Sequence, residues 1–236
     1  MYRLVIKPDQ KQDNFIDLNP EQQHYLFRVL RLGKGDRFIA LDGLGMSWIA
    51  EIEGLSAKIC QEIDISTELP ARVTLISALP KGSSYEEIIR CCTELGVSNF
   101  VPVISDRTIL KPSSNKVQRW RKIATEAAEQ SERQIVPVVS EPIAFDCAIA
   151  GMTPISDKYI CLARGNFPSL GNCLTIRQSQ EREIIIATGC EGGWTEREIN
   201  RAIALNYRPV SLGNRILRAV TAPIVALSLI VAALES

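Results

Sequence analysis

The spacing of apolar positions changes character near residue 70. Before it, short alternating runs at Arg3–Ile6, Phe15–Leu18, Arg37–Leu41, Ser47–Glu53 and Lys58–Ile65 read as strands, and Asp42-Gly43-Leu44-Gly45 reads as a hairpin turn. One helix interrupts them. Asn19 suits its N-cap, Pro20 the first helical position and Gln22 the capping-box spacing, so the helix should run through Leu30 and end before Gly33. Leu26, Val29 and Leu30 would form its narrow apolar stripe. A strand-rich stretch of this kind predicts a small β-barrel over residues 1–68.

Glu68-Leu69-Pro70-Ala71 is the expected linker, after which strand and helix patterns alternate. Strands are expected at Val73–Leu79, Phe100–Ile104, Val136–Val139, Lys158–Ala163, Glu183–Thr188 and Tyr207–Ser211. Between the first two, Ser83 or Ser84 caps a helix with Tyr85, Ile88, Ile89, Cys92 and Leu95 at helical spacing, closed by Gly96. A second helix over 113–133 turns Val117, Trp120, Ala124, Ala127 and Ala128 inward, and Lys116, Arg119, Lys122, Glu126, Glu129 and Gln130 outward. The alternation predicts an α/β domain over 72–236, built on a mostly parallel sheet covered on both faces. The apolar run Ala219–Leu234 contains Pro223 and is too short for a membrane span, so it reads as a buried helix, packed on the core or on a second subunit.

Composition narrows the function classes. The 236 residues are 46% hydrophobic with a formal net charge of zero, which supports a sizeable core and excludes a uniformly basic nucleic-acid binder. Local charge remains informative. Arg28, Arg31, Lys34 and Arg37 cluster beside Tyr25, Phe27 and His24, a group that can neutralise RNA phosphates or form a solvated face. The seven cysteines are an odd number without a C-x-x-C pair and His24 is the only histidine, so no metal site is expected. With no signal peptide pattern, reduced thiols point to the cytoplasm.

The candidate chemistry lies in two glycine-containing loops. Ile184-Ile185-Ile186-Ala187-Thr188-Gly189-Cys190-Glu191-Gly192-Gly193-Trp194-Thr195 and Ser211-Leu212-Gly213-Asn214-Arg215-Ile216-Leu217-Arg218-Ala219-Val220-Thr221-Ala222 each leave an extended apolar run, break at glycine and enter a helical pattern. Such junctions can present backbone amides to a ligand, although any one of them can also be only a tight turn. The glycine spacing matches neither the dinucleotide fingerprint nor the P-loop. A nucleoside-type cofactor is the favoured ligand.

Taken in order, the G-x-E-G-G-W-T-x-x-E loop at 189–198 and L-G-x-R-I-L-R-x-x-T-A at 212–222 resemble the RsmE-type 16S ribosomal RNA uridine-N3 methyltransferases of the SPOUT superfamily. H-x-x-x-V-L-R-x-x-x-G-D near the N-terminus, offset by one at His24, and R-x-x-x-I-x-x-E-A-x-x-Q-S-x-R at 119–133 resemble the same family. The resemblance implies a PUA-like N-terminal barrel, a SPOUT α/β domain with a trefoil knot, a homodimer, S-adenosyl-L-methionine as cofactor, and 16S rRNA or the small ribosomal subunit as partner. It further implies cofactor contacts at Leu162, Thr188, Gly189, Glu191, Gly192, Gly193, Leu212, Gly213, Ile216, Leu217, Thr221 and Ala222. RNA contacts would fall at His24, Arg28, Arg31, Arg119 and Gln130.

Methylation at N3 requires loss of the N3 proton. A carboxylate can accept it, for which Glu94 or Glu191 is a candidate, or a cation at Arg218 or Arg133 can stabilise the uridine anion. Two positions depart from the family pattern. Cys190 stands in place of the proline in G-P-E-G-G, and Val220 in place of the glutamate in L-R-x-E-T-A. The second leaves a methyltransferase with another target, or an RNA-binding assembly protein, as alternative readings.

Overall fold

The short N-terminal strands assemble into one six-stranded sheet. Its members are β1 (Arg3–Val5), β2 (Lys11–Gln12), β3 (Phe15–Asp17), β4 (Arg37–Leu41), β5 (Ser47–Glu53) and β6 (Ser56–Ile63), in the spatial order β1-β4-β5-β6-β3-β2. Only the β1–β4 pair is parallel. The computed structural model describes residues 1–64, 67–153, 156–174 and 183–236, so Ile65 of the fifth expected strand lies outside them. By contacts the chain divides into two compact units, Met1–Glu68 with Ala128–Val136, and Leu69–Ala127 with Pro137–Ser236.

Within the first unit, α1 (Pro20–His24) starts as its sequence predicts: Gln22 N donates to Asn19 Oδ1 at 2.9 Å and Asn19 N donates to Gln22 Oε1 at 2.9 Å. The helix then widens. Leu30 N donates to Tyr25 O at 2.9 Å, a five-residue step that shifts the phase of the side chains after it. The expected stripe is therefore corrected: Leu26 is buried, but Val29 is 57% exposed and leaves the core to Phe27, Leu30 and Leu32. The returning segment Ala128–Val136 is tied in by Val136 N to Gly43 O (2.9 Å) and by Gln134 Nε2 to Ser47 Oγ (2.7 Å).

The second unit contains β7 (Arg72–Ala78), α2 (Ser84–Glu94), β8 (Asn99–Ile104), α3 (Ser114–Gln130, whose last residues belong to the first unit), β9 (Val138–Val139), β10 (Ile143–Ala144) and α4 (Phe145–Ala150). It continues with β11 (Asp157–Cys161), α5 (Leu170–Cys173), β12 (Glu183–Thr188), α6 (Glu196–Ala204), β13 (Arg208–Val210) and α7 (Thr221–Leu234). All seven strands pair in parallel, in the order β10-β8-β7-β12-β11-β13 with β9 also on β8.

The unbroken apolar run of β12 has a direct cause: both of its faces are covered. Ile184 and Ile186 pack with Ile88, Ile89, Trp120 and Leu227, whereas Ile185 and Ala187 pack with Ile76, Phe145, Ile160 and Ala202. Each buried isoleucine contributes roughly 1.5–3 kcal/mol of transfer free energy. Helix α7 is apolar on every side, and its buried residues include Pro223, Ala226, Leu227 and Ile230. No helix of the described residues is long and apolar enough to cross a membrane.

Strand β13 has neighbours on both sides. Leu162 N donates to Val210 O at 2.9 Å on the β11 side. On the other, Ser211 N donates to Pro168 O and Leu170 N to Ser211 O, each at 2.9 Å. The end of this edge strand, at Val210 and the following Ser211, therefore lies between β11 and the chain that continues from β11.

Candidate active site

The carboxyl ends of β11, β12 and β13 open into a cleft of about 290 Å³, the position at which open parallel sheets place ligands. Both glycine loops line it, together with Cys161–Arg164 beyond β11. From the first loop come Gly189, Glu191, Gly192 and Gly193, and from the second Leu212, Gly213, Ile216 and Leu217. Leu162 and Ala222 complete the expected residues that reach it.

Bonds from neighbouring loops hold the first loop closely. Glu191 Oε1 accepts from Lys81 N at 3.0 Å, beyond β7. Arg107, beyond β8, donates through Nη1 to Gly192 O at 2.6 Å and to Trp194 O at 3.3 Å. A Cβ on Gly192 would sit 3.0 Å from Arg107 Cδ, so glycine allows this close approach. The helix that follows starts with a capping box in which the fully buried Glu198 accepts from Thr195 N at 2.8 Å, while its other oxygen accepts from Asp106 N at 2.9 Å. Asp106 also accepts from Arg197 Nη2 and Thr195 Oγ1, both at 2.8 Å. Those two bonds, Arg197 first, hold its carboxyl below the usual value of 3.8.

The second loop is more open. Ser211 Oγ accepts from Gly213 N at 3.1 Å, and Ala222 N donates to Arg218 O at 3.0 Å where α7 begins. Ile216 is 65% exposed. The side chains of Arg215 and Arg218 are exposed and make no hydrogen bond or ion pair among the described residues.

Other expected site residues lie elsewhere. Thr188 is buried under the cleft with its hydroxyl on Ser77 Oγ at 3.3 Å, and Thr221 is exposed at the start of α7. Glu94, near the end of α2, stands 4.0 Å from Arg90 and does not line the cleft. Arg133 belongs to the first unit, where it is 3% exposed and pairs with Glu68 at 2.6 Å. His24, Arg28 and Arg31 are exposed on the first unit, Arg119 pairs with Glu86 at 2.9 Å, and Gln130 is exposed near the end of α3.

Sequence reasoning missed Arg107, Arg164 and Arg215, three cations that line the cleft, as well as the buried Trp194. Position alone could have indicated Arg107, because Ser105-Asp106-Arg107-Thr108 directly follows the carboxyl end of an expected strand.

Comparison with known proteins agrees with this geometry. Residues 67–231 match an RNA methyltransferase domain and residues 18–61 an RNA methyltransferase PUA domain. The chain is 51% identical over 239 residues to ribosomal RNA small subunit methyltransferase E of Synechocystis sp., covering 100% of this chain and 78% of that one. To the protein of the same name from Bacillus subtilis it is 32% identical, covering 89% and 87%. The structure resembles that of ribosomal RNA small subunit methyltransferase E from Neisseria gonorrhoeae bound to S-adenosyl methionine, with TM-score 0.88, 30% identity and coverage of 97% and 95%. A methyltransferase from Legionella pneumophila in complex with the same cofactor gives TM-score 0.85 at 26% identity, covering 98% and 97%. With both domains matched along an ordered set of loops, this chain belongs to the ribosomal RNA small subunit methyltransferase E family.

Proposed function

We propose that the chain transfers a methyl group from S-adenosylmethionine to N3 of a uridine in 16S rRNA of the small ribosomal subunit. One observation carries this reading: two loops separated in sequence by one helix and one strand line a single cleft at the carboxyl ends of β11, β12 and β13. The cleft suits a nucleoside cofactor. Exposed Ile216 and half-buried Leu217 offer an apolar wall, and the first loop brings its backbone close enough that Gly192 has no room for a side chain beside Arg107. When bound, S-adenosylmethionine supplies an electrophilic methyl group.

The chain's own residues have to orient the acceptor base and favour loss of its N3 proton. Arg218, exposed on the second loop next to Leu217 and Ala219 but not itself lining the cleft, is our candidate for stabilising the uridine anion, and Arg164 and Arg215 line the cleft as further cations. Glu191 is occupied by the Lys81 amide, which makes it a loop anchor before it is a base. Glu94 remains a candidate proton acceptor only through water, since its carboxylate is beside Arg90. The exposed group His24, Arg28 and Arg31 presents charge to RNA phosphates, with Arg119 and Gln130 as further contacts. We further assign a homodimer through the apolar α7, a cytoplasmic location and a knotted C-terminal path, the last supported by the enclosure of β13.

Labelled S-adenosylmethionine incubated with small subunits that lack the uridine mark should yield 3-methyluridine by mass spectrometry of the nucleosides. Failure to label any nucleoside, with a working control enzyme alongside, would remove the proposal.

A further inference from the structure

The first glycine loop is unusual in how its backbone groups are used. Two carbonyls, Gly192 O and Trp194 O, are taken by one side chain, Arg107 Nη1, at 2.6 and 3.3 Å. Gly193 N closes a turn onto Cys190 O at 2.9 Å. The amides of Glu191, Gly192 and Trp194 donate to no group among the described residues, and the Trp194 indole N–H is buried without a partner. The carbonyls of Cys190, Gly192 and Trp194 are thus engaged while the amides of Glu191, Gly192 and Trp194 are free, an arrangement that can receive a ligand's oxygen or nitrogen acceptors.

We propose that Arg107 is a positioning residue that shapes this loop for the cofactor before the cofactor arrives. The inference rests on reading the cleft as a cofactor site, and three features support it. Arg107 lines the cleft from β8, an element outside the two glycine loops. Its aliphatic stem fills the space next to Gly192, with Cγ, Cβ and Cδ all within 3.5 Å of where a Cβ would stand. Its chain neighbour Asp106 fastens the far end of the same loop through Thr195, Arg197 and Glu198. The pair therefore grips the loop from Gly192 to Thr195. Both bonds come from the single nitrogen Nη1, whose two N–H groups are fixed in the guanidinium plane, whereas a lysine ammonium keeps the charge without that fixed pair of directions.

Arginine in the cleft could act differently, as a charge facing the cofactor directly. The two roles separate by ligand. S-adenosylmethionine carries a positive sulfonium and S-adenosylhomocysteine a neutral thioether, so a direct charge effect changes their relative affinities, whereas loss of loop shape weakens both alike.

The test uses the full chain with Arg107→Met and Arg107→Lys. Without cofactor, amide hydrogen exchange across 189–195 should become about tenfold faster in both variants, with strands β11 and β12 unchanged. Calorimetry should show S-adenosylmethionine and S-adenosylhomocysteine weakening together by about tenfold. Gly192→Ala should disturb the loop less in an Arg107→Ala background than alone, because the side chain it collides with is gone. Wild-type exchange rates in the variants, weakening confined to one ligand, or additive effects of Gly192→Ala and Arg107→Ala would each overturn the proposal. Should the unaltered protein bind neither ligand, the cofactor reading fails, while the exchange comparison still decides whether Arg107 shapes the loop.

Discussion

The two glycine loops face the same cleft but are built on opposite terms. Residues 189–195 are gripped from outside by Lys81, Asp106 and Arg107 and from below by the buried Glu198. Beyond Ser211, whose backbone pairs with Pro168 and Leu170, residues 212–220 have a local bond from Gly213 N to Ser211 Oγ and leave Arg215, Ile216 and Arg218 exposed. One wall is preorganised, so little ordering entropy remains to be lost there on binding. The other presents side chains whose partners come with a ligand. Even their glycines differ in purpose: Gly192 makes room for a neighbour, while Gly213 has open space around it and adopts φ +119°.

The largest test of this contrast is Glu198→Ala. It strips acceptors from the Thr195 and Asp106 amides and should cost roughly 2–4 kcal/mol in denaturant unfolding. A cost below about 0.5 kcal/mol would mean that the first loop does not depend on its buried support. Next comes Gly213→Ala, which should cost about 1–3 kcal/mol through backbone conformation alone. If thermal unfolding is unchanged, the second loop relaxes freely and is looser than its φ suggests.

Ile216→Ser sharpens the contrast from the other side. Stability should stay within about 0.5 kcal/mol, because the side chain is already in water, while cofactor affinity falls about five- to tenfold. Calorimetry beside a melting curve separates the two.

The smallest effect concerns pH. The Asp106 carboxyl titrates lower when folded than when unfolded, so the stability it contributes is complete above its ordinary value of 3.8 and is lost as pH falls through the lower folded value. Exchange protection of 189–195, corrected for the intrinsic pH dependence of exchange, should be level from neutrality to about pH 5 and decline only in stronger acid. Loss of protection already at pH 6 would assign the fastening to another group.

Most of the architecture was legible because periodicity reports burial. The run Glu183–Thr188 reads as a two-faced strand, Val117, Trp120, Ala124, Ala127 and Ala128 read as one face of a helix, and all of them except the half-buried Glu183 are buried. Val29 escaped because the helix widens at Tyr25–Leu30, a local change of hydrogen-bond step that a fixed helical period cannot register. The short pieces β2, β10 and α5 are too brief to carry a period at all. Within the site, motif spacing picked out both loops. It could not reach Arg107, since the contact between residue 107 and residue 192 exists only through the parallel order of β8, β7 and β12. Arg133 shows the reverse limit: its motif is intact in sequence, while the ion-pair partner the structure gives it, Glu68, lies far back along the chain.

The position of β13 has a consequence for how the protein is made. Each side of this strand is lined by chain synthesised earlier, β11 on one flank and Pro168–Leu170 on the other. Neither flank can acquire its partner until translation has passed Ser211. Segments already outside the ribosome must wait for it, because residues 212–222, one wall of the cleft, follow β13 in the chain. A product that stops just before Arg208 has every strand of the N-terminal sheet and lacks one wall of the cleft.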